Sequence, residues 1–125
     1  MKNIWNDNTD INNWRNKAPK VFYHGTSRKK LPSIMKYGLN PNAEKREDWG
    51  KGTPRGIYLT PDFENASYFS YDGKVILQVR IPSKDYLEPD PYNTWPLNDE
   101  LSYESVRYMK MIHPNYIKVV KRSNY

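Results

Sequence analysis

Residues 19–39 have the sequence PKVFYHGTSRKKLPSIMKYGL, which decides the fold because a strand pattern runs directly into a helix pattern. A short β-branched and aromatic run, with a proline before it and a glycine after it, predicts a strand over residues 20–23. Apolar residues recur at helical spacing over residues 31–39, and Gly38 is well placed to end that helix. The residues between the two elements, at positions 24–27, are a histidine, a glycine and two hydroxyl-bearing side chains.

Further along the chain, short apolar segments alternate with charged or proline-rich loops. The segment VILQVRIP at residues 75–82 is the strongest strand pattern, because it is rich in β-branched and apolar residues. We expect strands over 56–60 and within 105–122, and a helix over 61–70. Residues 40–55 and 83–100 are expected to be exposed loops. Short strands combined with two helices indicate the α+β class, with split mixed β-sheets and short flanking helices.

The 125 residues are expected to form one domain, at residues 19–125, preceded by a polar, Asn-rich surface arm at residues 1–18. Trp5 and Trp14 are expected to pin that arm to the body. The chain has no cysteine, which excludes a disulfide scaffold, a thiolate metal site and a cysteine nucleophile. No run approaches the ~18 apolar residues that a membrane span needs, and the arm lacks the apolar centre of a signal peptide. We expect a monomeric cytoplasmic protein without a membrane partner.

Basic residues outnumber acidic ones, 20 to 14, which gives the chain a formal net charge of +6. This excess favours a phosphate-bearing partner, either a nucleotide or a nucleic acid. The chain also contains eleven Tyr and four Trp. Amphipathic rings of this kind suit the stacking walls of a ligand cleft, and they equally suit an ordinary mixed core.

His24 is the first residue that could carry chemistry, and two interpretations of it are open. In the first, it is a turn histidine whose imidazole bonds a nearby carbonyl. In the second, it belongs to a ligand site, because Gly25 leaves a backbone amide and carbonyl open to a planar amide ligand.

Tyr58 is the second candidate. Alternation along residues 57–59 places Tyr58 on the face opposite its two aliphatic neighbours, so it points at a cleft if they point into the core. Alternatively, it covers the second layer of the sheet. Tyr68 supplies another ring ten residues later, and two rings can sandwich a flat heterocycle.

Glu104 is the third candidate, because it lies directly before a predicted strand, where a carboxylate can project from a rigid edge. Against this, most single glutamates are solvated surface charges. Three basic residues, Arg28, Lys51 and Arg55, flank the candidate positions and could meet a diphosphate.

Taken in order, these segments resemble the catalytic domain of the ADP-ribosyltransferases. His-Gly-Thr at 24–26 precedes a helix that ends in Gly-Leu, and Gly-Ile-Tyr-Leu at 56–59 precedes a helix with Ala and Tyr and, later, a Glu before a strand. The resemblance covers residues 22–121 and is to the His-Tyr-Glu branch, which includes diphtheria-type toxins and the poly(ADP-ribose) polymerases. It implies an ADP-ribosyltransferase-like fold and a reaction that consumes NAD and needs no metal.

The resemblance also implies roles for the matched residues. His24 would hydrogen-bond a ribose hydroxyl of NAD, and Gly25 would hold the nicotinamide carboxamide through its backbone. Tyr58 and Tyr68 would stack against the nicotinamide ring. Glu104 would bond the 2′-hydroxyl of the nicotinamide ribose and so steady the oxocarbenium-like transition state. The implied catalytic set is His24, Tyr58 and Glu104, and the implied NAD-binding set is His24, Gly25, Thr26, Arg28, Tyr58 and Tyr68.

The resemblance favours a mono-ADP-ribosyltransferase, because the chain is much shorter than a polymerase catalytic domain. The acceptor would be a protein or a nucleic acid, and arginine is disfavoured because the Arg-Ser-Glu pattern is absent. Small versions of this fold suit toxins, effectors and phage proteins, whose location would be the host cytoplasm. Two alternatives stay open. One is a non-catalytic NAD- or ADP-ribose-binding module or inhibitor that docks through a basic face. The other is an RNA 2′-phosphotransferase, which relies on an Arg-His-Arg-Arg set that we cannot place here.

Overall fold

The computed structural model describes residues 8–42, 55–67, 75–90, 103 and 105–122, with side chains described from residue 11 to residue 120. It contains three helices and six strands in these ranges, in the order α1 (Asn8–Lys17), β1 (Val21–Thr26), α2 (Leu31–Tyr37), β2 (Ile57–Leu59), α3 (Phe63–Ser67), β3 (Val75–Arg80), β4 (Leu87–Pro89), β5 (Val106–Tyr108) and β6 (Ile117–Arg122). Short 3-10 turns at Lys84–Tyr86 and Pro114–Tyr116 lead into β4 and β6.

The described strands form two three-stranded sheets. The first sheet has the order β1-β3-β6 and the second has the order β2-β5-β4. The α+β class and the division into separate sheets are therefore confirmed, but the expectation of mixed sheets is wrong for the described strands, whose pairings are all antiparallel. The reason is topological. A parallel pair needs a crossover between neighbouring strands, whereas α2 and α3 each connect strands of different sheets.

β1 is longer than its sequence pattern predicted. Its last three residues, His24, Gly25 and Thr26, pair with the first three residues of β3. Burial alternates along the strand, so that Phe22, His24 and Thr26 lie on the buried face. His24 is thus a strand residue rather than a turn residue.

One hydrophobic core joins both sheets to α1 and α2. The core residues share an almost complete loss of solvent contact, and they include Phe22, Leu77 and Val79 from the first sheet, Ile57, Leu59, Leu87 and Val106 from the second, and Trp14, Leu31 and Ile34 from the helices. Each buried side chain of this size contributes about 1.5–3 kcal/mol relative to an exposed one. Packing of these side chains between the two sheets therefore stabilises their association.

The N-terminal segment contains a helix, α1, that packs on this core. The Trp14 ring is 5% exposed and stacks on Tyr103 with 5.3 Å between ring centroids. The Tyr103 hydroxyl donates to the Trp14 carbonyl at 2.6 Å, and burial raises the pKa of that phenol. Arg15 donates to the Leu87 carbonyl at 2.9 Å and pairs with the Glu88 carboxylate at 2.7 Å. These bonds cover the outer edge of β4.

Within the described ranges, no helix has both the length and the apolar character needed to cross a membrane.

Gly38 ends α2, as its sequence position predicted. Its φ is +90°, and its N–H donates to the Ile34 carbonyl at 2.7 Å. Leu39 then exchanges two backbone hydrogen bonds of 2.9 Å with Ile112. A Cβ atom at position 38 would collide with the Ile112 carbonyl oxygen. Only glycine fits this combination of positive φ and close backbone approach.

Gly38→Ala is expected to lower the free energy of unfolding by about 2–3 kcal/mol, because it adds both backbone strain and a steric collision. Urea denaturation would measure the change. The matched control is Ser33→Ala on the exposed side of the same helix, for which we expect a change within about 0.5 kcal/mol. Equal stability of the two variants would contradict this account of the helix end.

Candidate functional site

The two sheets meet where β1 and the end of β2 run side by side. Tyr23 donates its N–H to the Thr60 carbonyl at 2.6 Å, and Thr60 donates back to the Tyr23 carbonyl at 3.0 Å. This isolated antiparallel bridge links strands that belong to different sheets. It brings the His-Gly-Thr segment of β1 next to the segment that carries Tyr58.

His24 makes the second link between these strands. Its side chain is 7% exposed, and its Nδ1 lies 2.9 Å from the Tyr58 carbonyl oxygen. A carbonyl oxygen only accepts hydrogen bonds, so Nδ1 must carry the proton, and in the neutral ring Nε2 is then the acceptor nitrogen. The bond fixes both the tautomer and the orientation of the ring. The first interpretation of His24, a bond to a carbonyl, is thus correct about the contact. The same contact makes Nε2 the ring nitrogen that can accept a hydrogen bond.

Tyr58 lies on the face of β2 opposite its aliphatic neighbours, as alternation predicted. Ile57 and Leu59 belong to the core cluster, whereas Tyr58 does not. Tyr58 pairs in register with Arg107 of β5. The Tyr58 side chain is nevertheless only 3% exposed, so this face of the second sheet is also covered. A ligand that stacks on the ring must therefore displace the groups that cover it.

Thr26 places a buried hydroxyl on the same face of β1 as His24. Residues two apart in a strand lie about 7 Å apart on one face, a separation that a single sugar-sized group can bridge. Thr26 is 5% exposed, and within the described part of the chain its Oγ1 has no hydrogen-bond partner. Burying a hydroxyl without a partner costs roughly 1–3 kcal/mol. This hydroxyl therefore has hydrogen-bonding capacity that a polar ligand could use.

Gly25 and Arg28 occupy different surroundings from His24. Gly25 pairs with Ile76 of β3. It faces the side of β1 opposite His24, and α3 packs against that side. Arg28 lies two residues beyond the end of β1, in an exposed turn. The structure thus brings His24, Thr26 and the Tyr58 strand together, while it places Arg28 beyond the end of the strand and the Gly25 backbone between the two buried side chains.

The two remaining candidates, Glu104 and Tyr68, lie outside the described residues, as does Lys51. Both sequence neighbours of Glu104 are described. Tyr103 is held by Trp14, as above, and Ser105 directly precedes Val106, which pairs with both Leu59 and Pro89. The segment that leads into β5 therefore approaches the same end of β2 that bridges to β1.

A buried hydrogen bond between a serine and an aspartate, next to the start of β5, was not predicted from the sequence. Ser105 donates its hydroxyl to an oxygen of Asp90 at 2.6 Å, and Asp90 is only 2% exposed. The pair joins the end of β4 to the start of β5. A serine directly after the candidate glutamate was the only sequence feature that could have indicated it, and its partner fifteen residues away could not be identified from spacing.

Arg107 and Arg55 are bound to other parts of the protein near the start of β2. Arg107 donates to the Pro89 and Arg55 carbonyls, each at 3.0 Å. Gly56, with φ of +146°, makes room for it, because a Cβ there would lie 2.9 Å from the Arg107 side chain. Arg55 donates from Nε to Asn42 at 2.6 Å. Arg55 is therefore partly committed to holding the start of β2, which weakens its candidacy as a diphosphate ligand.

Within the described ranges, no three His, Asp or Glu side chains come together in a way that could hold a metal ion. A search against models of known protein families found none that matches this sequence.

The orienting role of His24 can be tested with two substitutions that differ in one hydrogen bond. His24→Ala is expected to lower the free energy of unfolding by about 2–3 kcal/mol, because it removes a buried ring and leaves the Tyr58 carbonyl without its donor. His24→Asn keeps an N–H donor near the position of Nδ1, and the loss should be about 1 kcal/mol smaller. Urea denaturation would compare the two.

His113, the other histidine, is the control for this comparison. It is exposed, and its Nδ1 accepts from the nearby Asn115 N–H, so His113→Ala should cost less than about 1 kcal/mol. If His24→Ala and His24→Asn lose the same stability, the bond to the Tyr58 carbonyl does not hold the two strands together.

Proposed function

We propose that this protein is an NAD-dependent mono-ADP-ribosyltransferase that transfers ADP-ribose to a macromolecular acceptor. The observation that carries the proposal is the 2.9 Å contact between His24 Nδ1 and the Tyr58 carbonyl. It joins the two sequence segments on which the resemblance to the His-Tyr-Glu enzymes depends, although they lie 34 residues apart in the chain.

The reaction exchanges one bond at the anomeric carbon of the nicotinamide ribose. The glycosidic C–N bond of NAD breaks, and its electron pair leaves with nicotinamide. A nucleophilic oxygen or nitrogen of the acceptor forms the new bond to that carbon and loses its proton to solvent or a nearby base. Positive charge develops on the ribose as the bond breaks, so the groups that matter most are those whose contacts strengthen with that charge.

His24 and Thr26 would bind the ribose hydroxyls. The Nδ1 bond leaves Nε2 as the acceptor nitrogen, which suits a hydroxyl donor. The Thr26 hydroxyl on the same face can donate or accept, and a ligand would supply the partner that the described residues do not provide. Both groups are fixed on one strand, so their relative positions would be set before binding, although NAD must displace the groups that bury them.

Tyr58 would contact the nicotinamide ring once NAD has displaced the groups that cover it. Stacking of two rings contributes about 0.5–1.5 kcal/mol beyond area burial. Tyr58 lies one strand position from Leu59, which pairs with Val106. The proposed nicotinamide subsite is therefore close to where the chain leads into β5.

Glu104 would supply the charge that stabilises the transition state. Its neighbour Tyr103 is anchored to α1 and its neighbour Ser105 to Asp90. The fixed positions of Tyr103 and Ser105 support this proposal, because an electrostatic contact acts best when the group that makes it is fixed before the reaction. A contact of this type contributes about 3–4 kcal/mol, or roughly 10²–10³ in rate.

Glu104→Gln should reduce nicotinamide release from NAD by about 10²–10³-fold, because the amide keeps the shape of the side chain and loses the charge. The dissociation constant for NAD should change by less than about threefold, since the charge matters most at the transition state. Chromatographic measurement of free nicotinamide and calorimetric titration with NAD give the two quantities.

Glu64→Gln is the matched control, because Glu64 is an exposed glutamate on α3, and its release rate should equal that of the unmodified protein. Tight NAD binding without any nicotinamide release would show that the protein is a binding module and not a transferase. A product with a 1″,2″-cyclic phosphate, formed only with 2′-phosphorylated RNA, would identify the phosphotransferase instead. Unchanged release by Glu104→Gln would remove Glu104 from the mechanism.

A further inference from the structure

The turn after β1 and the solvent side of α2 form a basic surface next to the proposed site. Residues 27–38 contain four cationic side chains and no acidic one. We define the α2 surface by its exposed residues Lys29, Lys30, Lys36 and Tyr37. None of the four has a part in the reaction proposed above. We propose that the α2 surface binds single-stranded nucleic acid and that this nucleic acid is the acceptor of ADP-ribose. The binding is independent of the proposed function, whereas the acceptor role rests on it.

The backbone holds these cations in a defined arrangement. Lys30 N–H donates to the Ser27 carbonyl at 3.2 Å, and Leu31 N–H donates to the Arg28 carbonyl at 3.3 Å, so the turn is closed before the helix begins. Leu31 and Ile34 are buried in the core. Lys30 lies four residues before Ile34 and Tyr37 three residues after it, so helical periodicity places both beside the buried stripe, where their side chains are exposed at its margin.

Tyr37 adds a stacking surface to the charge. It is 59% exposed, the largest exposed fraction among the large hydrophobic side chains of the described ranges. The Lys36 ammonium lies 5.2 Å from the centroid of its ring. An exposed tyrosine gains little stability from packing, but it can stack on a nucleic-acid base while adjacent lysines contact the phosphates.

The combination favours nucleic acid over a membrane. A helix that binds a lipid surface inserts its apolar face, whereas the apolar face of α2 is already buried in the core through Leu31 and Ile34. An exposed ring with a cation against it, on a surface that carries further lysines, is instead the pattern of single-strand binding. The net charge of +6 is complementary to such a partner.

The position of the α2 surface fits an acceptor. β1 ends at Thr26, and the cationic turn begins two residues later, at Arg28. A single strand that lies along the turn would thus pass the end of β1 that carries His24 and Thr26. Binding there would raise the local concentration of acceptor nucleophiles at the ribose carbon that loses nicotinamide.

Fluorescence anisotropy with a labelled single-stranded RNA of about twelve nucleotides tests the surface directly. Lys29→Glu combined with Lys30→Glu should weaken binding by about tenfold or more at low salt, because each lost phosphate contact removes counterion release. The charge-matched control is Lys20→Glu with Lys118→Glu, two exposed lysines outside this surface. Each double variant lowers the net charge by four, from +6 to +2, and the control should weaken binding by less than about threefold.

The stacking role of Tyr37 is tested in the same assay. Tyr37→Ala should weaken RNA binding by about fivefold or more, whereas Tyr37→Phe keeps the ring and should remain within about twofold. Tyr116→Ala removes a different exposed ring, 41% exposed, and should have no effect. Equal weakening by the two lysine double variants, or displacement by polyglutamate as effective as displacement by unlabelled RNA, would overturn the proposal.

The role of RNA as acceptor is measured separately from RNA binding and from NAD cleavage. With labelled NAD, the unmodified protein should transfer label to the RNA, and Lys29→Glu with Lys30→Glu should lose that transfer while keeping nicotinamide release. RNA binding without any nicotinamide release would overturn the proposed function and leave the binding surface intact. Nicotinamide release without RNA binding would overturn the proposal that the α2 surface binds RNA and would leave the proposed enzymatic function intact.

Discussion

Two backbone hydrogen bonds between Tyr23 and Thr60 are the constraint on which the candidate site depends. They join a strand of the first sheet to the end of a strand of the second, each of which is the outermost described strand on that side of its sheet. The His24 side chain adds a third bond across the same junction. Since an antiparallel bridge fixes direction as well as distance, His24, Thr26 and the Tyr58 strand have defined relative positions before any ligand arrives.

The buried face of β1 is apolar at one end of the strand and polar at the other. Phe22 contributes to the hydrophobic core, and His24 and Thr26 continue the same buried face with polar groups. The apolar end stabilises the fold, while the polar end carries hydrogen-bonding capacity that stability alone would not select. Such a local conflict with ordinary burial preferences is what physical reasoning associates with a functional site.

The sequence predicted elements whose patterns are local and strong. β3 is rich in β-branched residues, and α2 has apolar residues at helical spacing with a glycine at its end. The sequence indicates a polar arm where α1 lies, because Ile11 and Trp14 are the two apolar residues among its ten and the core that they pack on is built from distant residues. The sequence predicts a proline-rich loop where β4 lies, because its three residues form a strand only through pairing with β5.

The sequence nominates candidate site residues, but it does not predict the contacts between them. The motifs around His24 and Tyr58 carry the resemblance, and alternation predicts Tyr58 on the face of β2 opposite Ile57 and Leu59, which lie in the core cluster. The bond from an imidazole to a backbone carbonyl 34 residues away, and the bond from Ser105 to Asp90, depend on tertiary pairing that no local pattern encodes. Their partners could be found only from coordinates.

The attachment of α1 has a consequence for how this chain would tolerate shortening. Arg15 and Trp14 bond to residues more than seventy positions away, at the outer strand of the second sheet and at Tyr103. A chain that began at Ala18 would lose this cover of β4, and an uncovered strand edge can pair with the same strand of another molecule. Such a protein would be exposed to self-association through its sheet edge, even though every residue of the proposed NAD site was still present.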